Sequence, residues 1–165
     1  MAQIDKLIDT AELERLLQAL GNDVAQGYKA TLESDDHIAT DRLFKSVSAI
    51  VDVMGTTYEV KLNLEDYWKY LEYGTRPHWP PRSAILKWIT AKKIVPYPDK
   101  RGRIPSPQQL AFLICRKISR FGTKGTHGLK RTVDAVLPAY KQLLKEALGR
   151  MYGNYIQQIA QFPAR

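Results

Sequence analysis

The residues of this chain whose types could do chemistry are three histidines, one cysteine, a few adjacent carboxylates and one glycine-rich loop. His37, His78 and His127 stand in neither His-x-x-x-His nor His-x-Glu order, and Cys115 has no second sulfur near it, so a zinc site would have to be assembled from distant positions. Cys115 lies on the apolar face of a predicted helix, which reads as core packing rather than as a nucleophile. No serine occupies a Gly-x-Ser-x-Gly elbow. Asp35-Asp36 and Glu65-Asp66 are paired only in sequence; neighbours on a helix or strand do not face one another, so acid–base work is not implied. The loop Gly122-Thr123-Lys124-Gly125-Thr126-His127-Gly128 exposes backbone amides beside a lysine, as a phosphate cradle does. It lacks the Gly-x-x-x-x-Gly-Lys-Ser/Thr spacing and follows a helix rather than a strand, so a flexible or interface loop is expected there. No catalytic residue, metal ligand or cofactor is expected, and no enzyme.

The stretch Tyr67-Trp68-Lys69-Tyr70-Leu71-Glu72-Tyr73-Gly74-Thr75-Arg76-Pro77-His78 is more telling. Tyr67, Tyr70 and Tyr73 are spaced i, i+3, i+6, which on a helix makes one aromatic stripe. Gly74 then offers a left-handed residue, and Pro77, Pro80 and Pro81 forbid continuation. This is a structural corner. Its carboxylate, Glu72, is expected either to accept from local backbone amides or to pair with Arg76 or Arg82.

Charge narrows the partners. The net charge is +8, but residues 1–66 hold six Lys/Arg against thirteen Asp/Glu (−7), and residues 67–165 hold nineteen against four (+15). Such a split suits nucleic acid at the basic part, head-to-tail contact between copies, or two solvated faces. Lys92, Lys93, Lys100, Arg101 and Arg103 bracket a proline-rich loop; Arg116, Lys117, Arg120, Lys124, Lys130 and Arg131 surround the glycine-rich one. Loops of this kind contact phosphate without reading sequence, and no helix-turn-helix, finger or RNP signature is present. Lys100, Arg101, Arg103 and Lys124 are the candidates for a DNA- or neck-facing surface. No run nears the roughly 18 apolar residues that span a bilayer, the N-terminus has no apolar stretch of signal-peptide kind, and a single cysteine suits a reducing compartment.

These residues must be held by a modest set of elements in one domain of 165 residues. Leu13, Leu16, Leu17, Leu20, Val24, Tyr28 and Leu32 predict a helix over Thr10–Ser34, capped by Asp9 or Thr10 and weakened or kinked at Gly21 and Gly27. Asp35-Asp36-His37 is a linker, and Thr40–Ser46 a capped helical turn. Ser46–Met54 and Thr57–Leu64 alternate as a hairpin around Gly55-Thr56, with Val47, Ala49, Val51 and Val53 on one face and Tyr58, Val60, Leu62 and Leu64 on the matching one. Two strands alone are marginal and need a helix, further strands or a neighbour. Helices follow over Arg82–Lys93, Gln108–Arg120 (Leu110, Phe112, Leu113, Ile114, Cys115 and Ile118 inside) and Leu129–Ala160, with Pro138 as a start or kink. Residues 40–81 thus carry the hairpin and corner, 82–120 a helical segment and 129–160 the last helix.

Taken together, Thr40, Leu43 and Ser46, the hairpin, and Tyr67, Glu72, Tyr73, Gly74 and Thr75 resemble the tail-completion proteins of tailed phages, the head–tail joining or tail-terminator family. That family shows a Thr-Gly-x-Leu-x-x-Ser turn, a hairpin and a Tyr-Ala-x-x-x-Glu-aromatic-Gly-Thr corner. Here Asp41 stands for the usual Gly, Trp68 for Ala, and Thr126–Lys130 for a Pro-Phe-x-x-Pro-Ala segment. The likeness spans about residues 40 to 137, with 82–120 resembling an insertion of longer members. The resemblance implies an α+β fold, a small mainly antiparallel sheet packed against an N-terminal helix and several C-terminal helices. It implies a homo-oligomeric ring, commonly of six subunits, in the virion tail or neck, assembled in the host cytoplasm. Its partners would be a neck or connector protein, the tail tube protein and DNA passing through the lumen without sequence reading, with no membrane. The alternative from another class is a non-specific nucleic-acid-binding cytoplasmic module.

Overall fold

The computed structural model describes residues 10–35, 41–55, 57–98 and 100–160. The fold is α+β, and two compact units divide the chain: Met1–Ala30, Val47–Leu64 and Lys130–Arg165 delimit one, Thr31–Ser46 and Glu65–Leu129 the other. No helix among the described residues is long and apolar enough to cross a membrane.

The first unit is a hairpin with helices. Helix α1 (Ala11–Ser34) starts where the apolar spacing predicts, with the Thr10 carbonyl accepting from the Glu14 amide at 2.9 Å. Asp9, the other expected cap, lies outside the described residues. Val24, Ala25 and Tyr28 of α1 are buried. Strands β1 (Ser48–Met54) and β2 (Thr57–Asn63) pair antiparallel, with Ala49 opposite Leu62, Val51 opposite Val60 and Val53 opposite Tyr58. The alternation therefore assigns these six to one face, which a slip of one residue would turn to the other side, whereas Ser46 ends helix α2 (Arg42–Ser46) and Val47 and Leu64 fall outside the strands. Thr56 of the turn lies outside the described residues.

Gly21 corrects the reading of the α1 glycines as weak points. A Cβ there would stand 2.8 Å from Ala49 Cβ and 3.0 Å from Val60 Cγ1, so glycine lets the strands lie against the helix. A Cβ on Gly27 would likewise meet Thr132 Cγ2 at 2.8 Å. The cover ends before the hairpin does. Val51 and Val60 are half-buried, whereas Val53 and Met54 at the tip are exposed on opposite faces.

Helix α6 (Gly128–Ala160) runs uninterrupted through Pro138, which is inside it rather than at its start. The ring costs the Asp134 carbonyl its helical donor without ending the helix. Side-chain contacts between α6 and α1 include Tyr140 donating to Asp23 Oδ2 at 2.6 Å and Arg150 pairing with Glu12 at 2.6 Å.

The second unit holds α2 (Arg42–Ser46), α3 (Trp68–Tyr73), α4 (Arg82–Ala91) and α5 (Pro107–Phe121), with a short pair of strands, β3 (Gly74–Thr75) and β4 (Thr123–Lys124). Thr40, the first residue of the expected turn, lies outside the described residues. Helix α5 begins one residue earlier than its apolar pattern, because Ser106 and Gln109 form a reciprocal capping box (2.9 and 3.3 Å) with Pro107 in the first turn. Ile89 of α4 and Ala111 and Cys115 of α5 are buried, and the Cys115 thiol points to the Pro80 carbonyl at 3.7 Å. Phe112 and Leu113 do not lie inside as the periodicity suggested; they are 39% and 43% exposed. A helix of this width buries one stripe, and here Ala111 and Cys115 take it.

Candidate functional site: the aromatic corner and the apolar groove

The corner is built by pairing across the chain. Gly74 has φ 75°, and a Cβ there would lie 2.1 Å from the Thr123 carbonyl oxygen. Gly122 mirrors it, with φ 67° and a would-be Cβ 2.0 Å from the Thr75 oxygen. A side chain at either position would be strained by its dihedral and would collide with backbone. Between them β3 and β4 pair antiparallel, Gly74 opposite Lys124 and Thr75 opposite Thr123. The two threonine hydroxyls lie 3.0 Å apart, and the Thr123 amide donates to Thr75 Oγ1 at 3.2 Å. Beyond β4, Thr126 N–H donates to the Leu71 carbonyl at 2.8 Å and His127 N–H to that of Glu72 at 3.2 Å. The glycine-rich loop is thus the second half of the corner, with the Thr126 and His127 amides bonded to backbone carbonyls and the Thr123 amide to a threonine hydroxyl.

Glu72 is 3% exposed, and its Oε2 accepts from the Leu129 amide at 2.9 Å. That amide belongs to the first turn of α6, where N–H groups lack helical partners and the helix dipole favours a negative charge. Of the two expected environments, the backbone amide is the one observed, although it is far off in sequence rather than local.

The tyrosines separate. Tyr67 precedes α3, and its hydroxyl accepts from the Leu43 amide at 2.9 Å. Tyr70 and Tyr73 are exposed, so the stripe faces outward. Tyr73 stacks edge-on with His127 (6.4 Å) and tilts against Trp68 (6.1 Å). Tyr70, Gly74, Thr75 and His78 line a shallow open depression of about 470 Å³.

Of the basic candidates, Lys124 sits in the corner on β4, while Lys100, Arg101 and Arg103 are exposed on the loop before α5. Arg103 also lines a groove of about 990 Å³ whose walls include Val95, Tyr97, Ile104, Phe112 and Leu113. Across it, the Arg82 guanidinium lies 5.3 Å from the Phe112 ring centre, and Trp79 packs on that ring at 5.8 Å. Sequence reasoning missed this groove. Its only signal was the excess of apolar residues on α5 beyond what one stripe can bury.

Among the described residues no group of three His, Cys, Asp or Glu is arranged to hold a metal ion, and His37 lies outside them. One exposed pair on the hairpin has shifted titrations. The hydrogen bond and charge of Lys61 hold Asp52 below the usual carboxylate range, and the hydrogen bond to Asp52 raises Lys61. No protein-family model matches the chain, and neither a curated protein nor a solved structure does.

Proposed function

We propose that this chain is a virion structural protein, a tail-completion or neck ring that ends the tail tube and joins it to the DNA-filled head. One observation carries the reading on the physical side. Large apolar side chains are exposed in groups at the hairpin tip (Ile50, Val53, Met54), around the groove (Val95, Tyr97, Ile104) and along the end of α6 (Tyr152, Ile156, Ile159). Exposed apolar groups of this extent favour assembly, and heterologous contacts between unlike patches close into rings. The residue pattern of the corner supplies the kind of ring. Its geometry suits architecture, because its glycines, threonines and buried glutamate are consumed in holding the backbone.

The test is electron microscopy and mass measurement of the purified protein, with detection in virions. Rings, and presence at the head–tail junction, are expected; a strictly monomeric protein absent from virions would sink the reading. A second reading, non-specific nucleic-acid binding, draws on the exposed Lys100, Arg101, Arg103 and Lys124. A salt series separates the two: a steep loss of DNA affinity with salt by a protein that stays monomeric favours the second.

A further inference from the structure

We propose that the β1–β2 hairpin tip of one copy seats in the apolar groove beside α5 of the next copy, making the head-to-tail contact of the ring. The inference rests on the ring reading and adds the surfaces that form it. The groove is open, about 990 Å³, and lined by exposed apolar side chains with Arg82 and Arg103 on its walls and no carboxylate among its described lining residues. Stacking on Phe112 holds the Arg82 guanidinium in place, and Arg82 makes no ion pair with another described residue. An arginine so held presents its N–H edge to an incoming carboxylate at little cost in side-chain freedom.

The hairpin tip has the complementary make-up. One face carries Ile50 and Met54, 51% and 59% exposed, with Asp52 and Glu59 between them. Lys61 already lies 2.6 Å from Asp52 and 3.4 Å from Glu59, so this face carries one net negative charge. On the opposite face Val53 is 45% exposed, because the helix cover formed at Gly21 reaches Ala49 and Val60 and stops short of the tip. The uncovered end, from Ile50 to the turn, extends about 3.4 Å per residue. It offers apolar side chains on both faces and acid on one, which suits an apolar groove with basic walls. Because tip and groove are different surfaces, the contact is heterologous and propagates from copy to copy until it closes.

Met54→Asn takes the apolar side chain from the tip without adding acid for the groove's arginines, and Leu113→Glu disables the groove; both positions are exposed, and circular dichroism checks the fold of each. The expected result is that the wild type forms rings, each variant alone is monomeric by light scattering, and their equimolar mixture stops at dimers. Only one intact tip and one intact groove remain in such a mixture. In a companion experiment, Met54→Cys chains mixed with Leu113→Cys chains should give a covalent dimer on oxidation, since the buried Cys115 does not compete. This cross-link decides the matter should Leu113→Glu fail to fold. Wild-type rings that persist in both variants, without cross-linking, overturn the docking and leave the ring reading standing. A monomeric wild type overturns both. Loss of oligonucleotide binding by Leu113→Glu with ring assembly intact would make the groove a nucleic-acid site and also refute the docking.

Discussion

Glu72 is buried, and the group it serves is the first turn of α6. Replacing it with Ala leaves the Leu129 amide without its acceptor, at an expected cost of about 2–3 kcal/mol. Gln keeps an acceptor and loses only the charge facing the helix dipole, about 1 kcal/mol. Urea denaturation of the two variants should rank them in that order; equal stabilities would show that the carboxylate is not a cap. Tyr140 makes a separate prediction about pH. Its hydrogen bond to Asp23, then burial, then the charge of Asp23 hold the phenol proton above the ordinary value of 10.0. The folded protein therefore binds that proton more tightly than the unfolded chain does. The resulting stability is full below pH 10.0 and is lost as pH rises through the higher folded value. Denaturation midpoints of the wild type should fall across that alkaline window, and those of Tyr140→Phe should fall less steeply.

Two glycines in helices should respond oppositely to the same substitution. Alanine in a helix interior is favoured by about 1 kcal/mol over glycine. At Gly149 nothing lies within 4 Å of the new Cβ, so Gly149→Ala should stabilise by up to about that amount. At Gly21 the Cβ lands 2.8 Å from Ala49 Cβ, where overpacking of about 1–3 kcal/mol outweighs the helical gain. Thermal unfolding should move up for one and down for the other, and a rise in both would mean that the hairpin does not rest on α1. At the corner, Gly74→Ala combines the cost of a glycine-only backbone conformation (φ 75°, ψ −167°), about 1–3 kcal/mol, with a collision against the Thr123 carbonyl. Hydrogen exchange should show the Thr126 and His127 amides, bonded to Leu71 and Glu72, losing protection in this variant first. Unchanged protection would separate the glycine from the pairing of β3 with β4.

For the whole molecule, the −7 and +15 halves bear on association more than on folding. If copies meet through unlike charges as well as apolar groups, added salt should weaken the ring. The Debye length falls from about 10 Å at 0.1 M to about 3 Å at 1 M, which screens exposed pairs. Sedimentation across that range should show the assembly shifting toward smaller species; an assembly that tightens with salt would be held by apolar contact alone.

Much of the architecture was legible in the residues, and the reason is periodicity. The apolar spacing from Leu13 to Leu32 marks α1, and an alternation imperfect in the first strand and better in the second assigns Ala49, Val51, Val53, Tyr58, Val60 and Leu62 to one face of the hairpin. Helix and strand periods are local, so such patterns state which face turns inward without stating what covers it. The corner shows the limit. Gly74 and the break after it are visible in sequence, but its partner strand lies 48 residues on, and the amide capped by Glu72 lies 57 residues on. The same holds for Gly21, which reads as a weak helical position until a strand is laid against it. It holds again for Phe112 and Leu113, which count as core until Ala111 and Cys115 take the buried stripe. Sequence alone determined the elements and their faces, because each follows from neighbours along the chain. Tertiary structure decided which glycines are close contacts, which carboxylate is a cap and which apolar residues remain outside, because those depend on atoms far along the chain brought within a few ångströms.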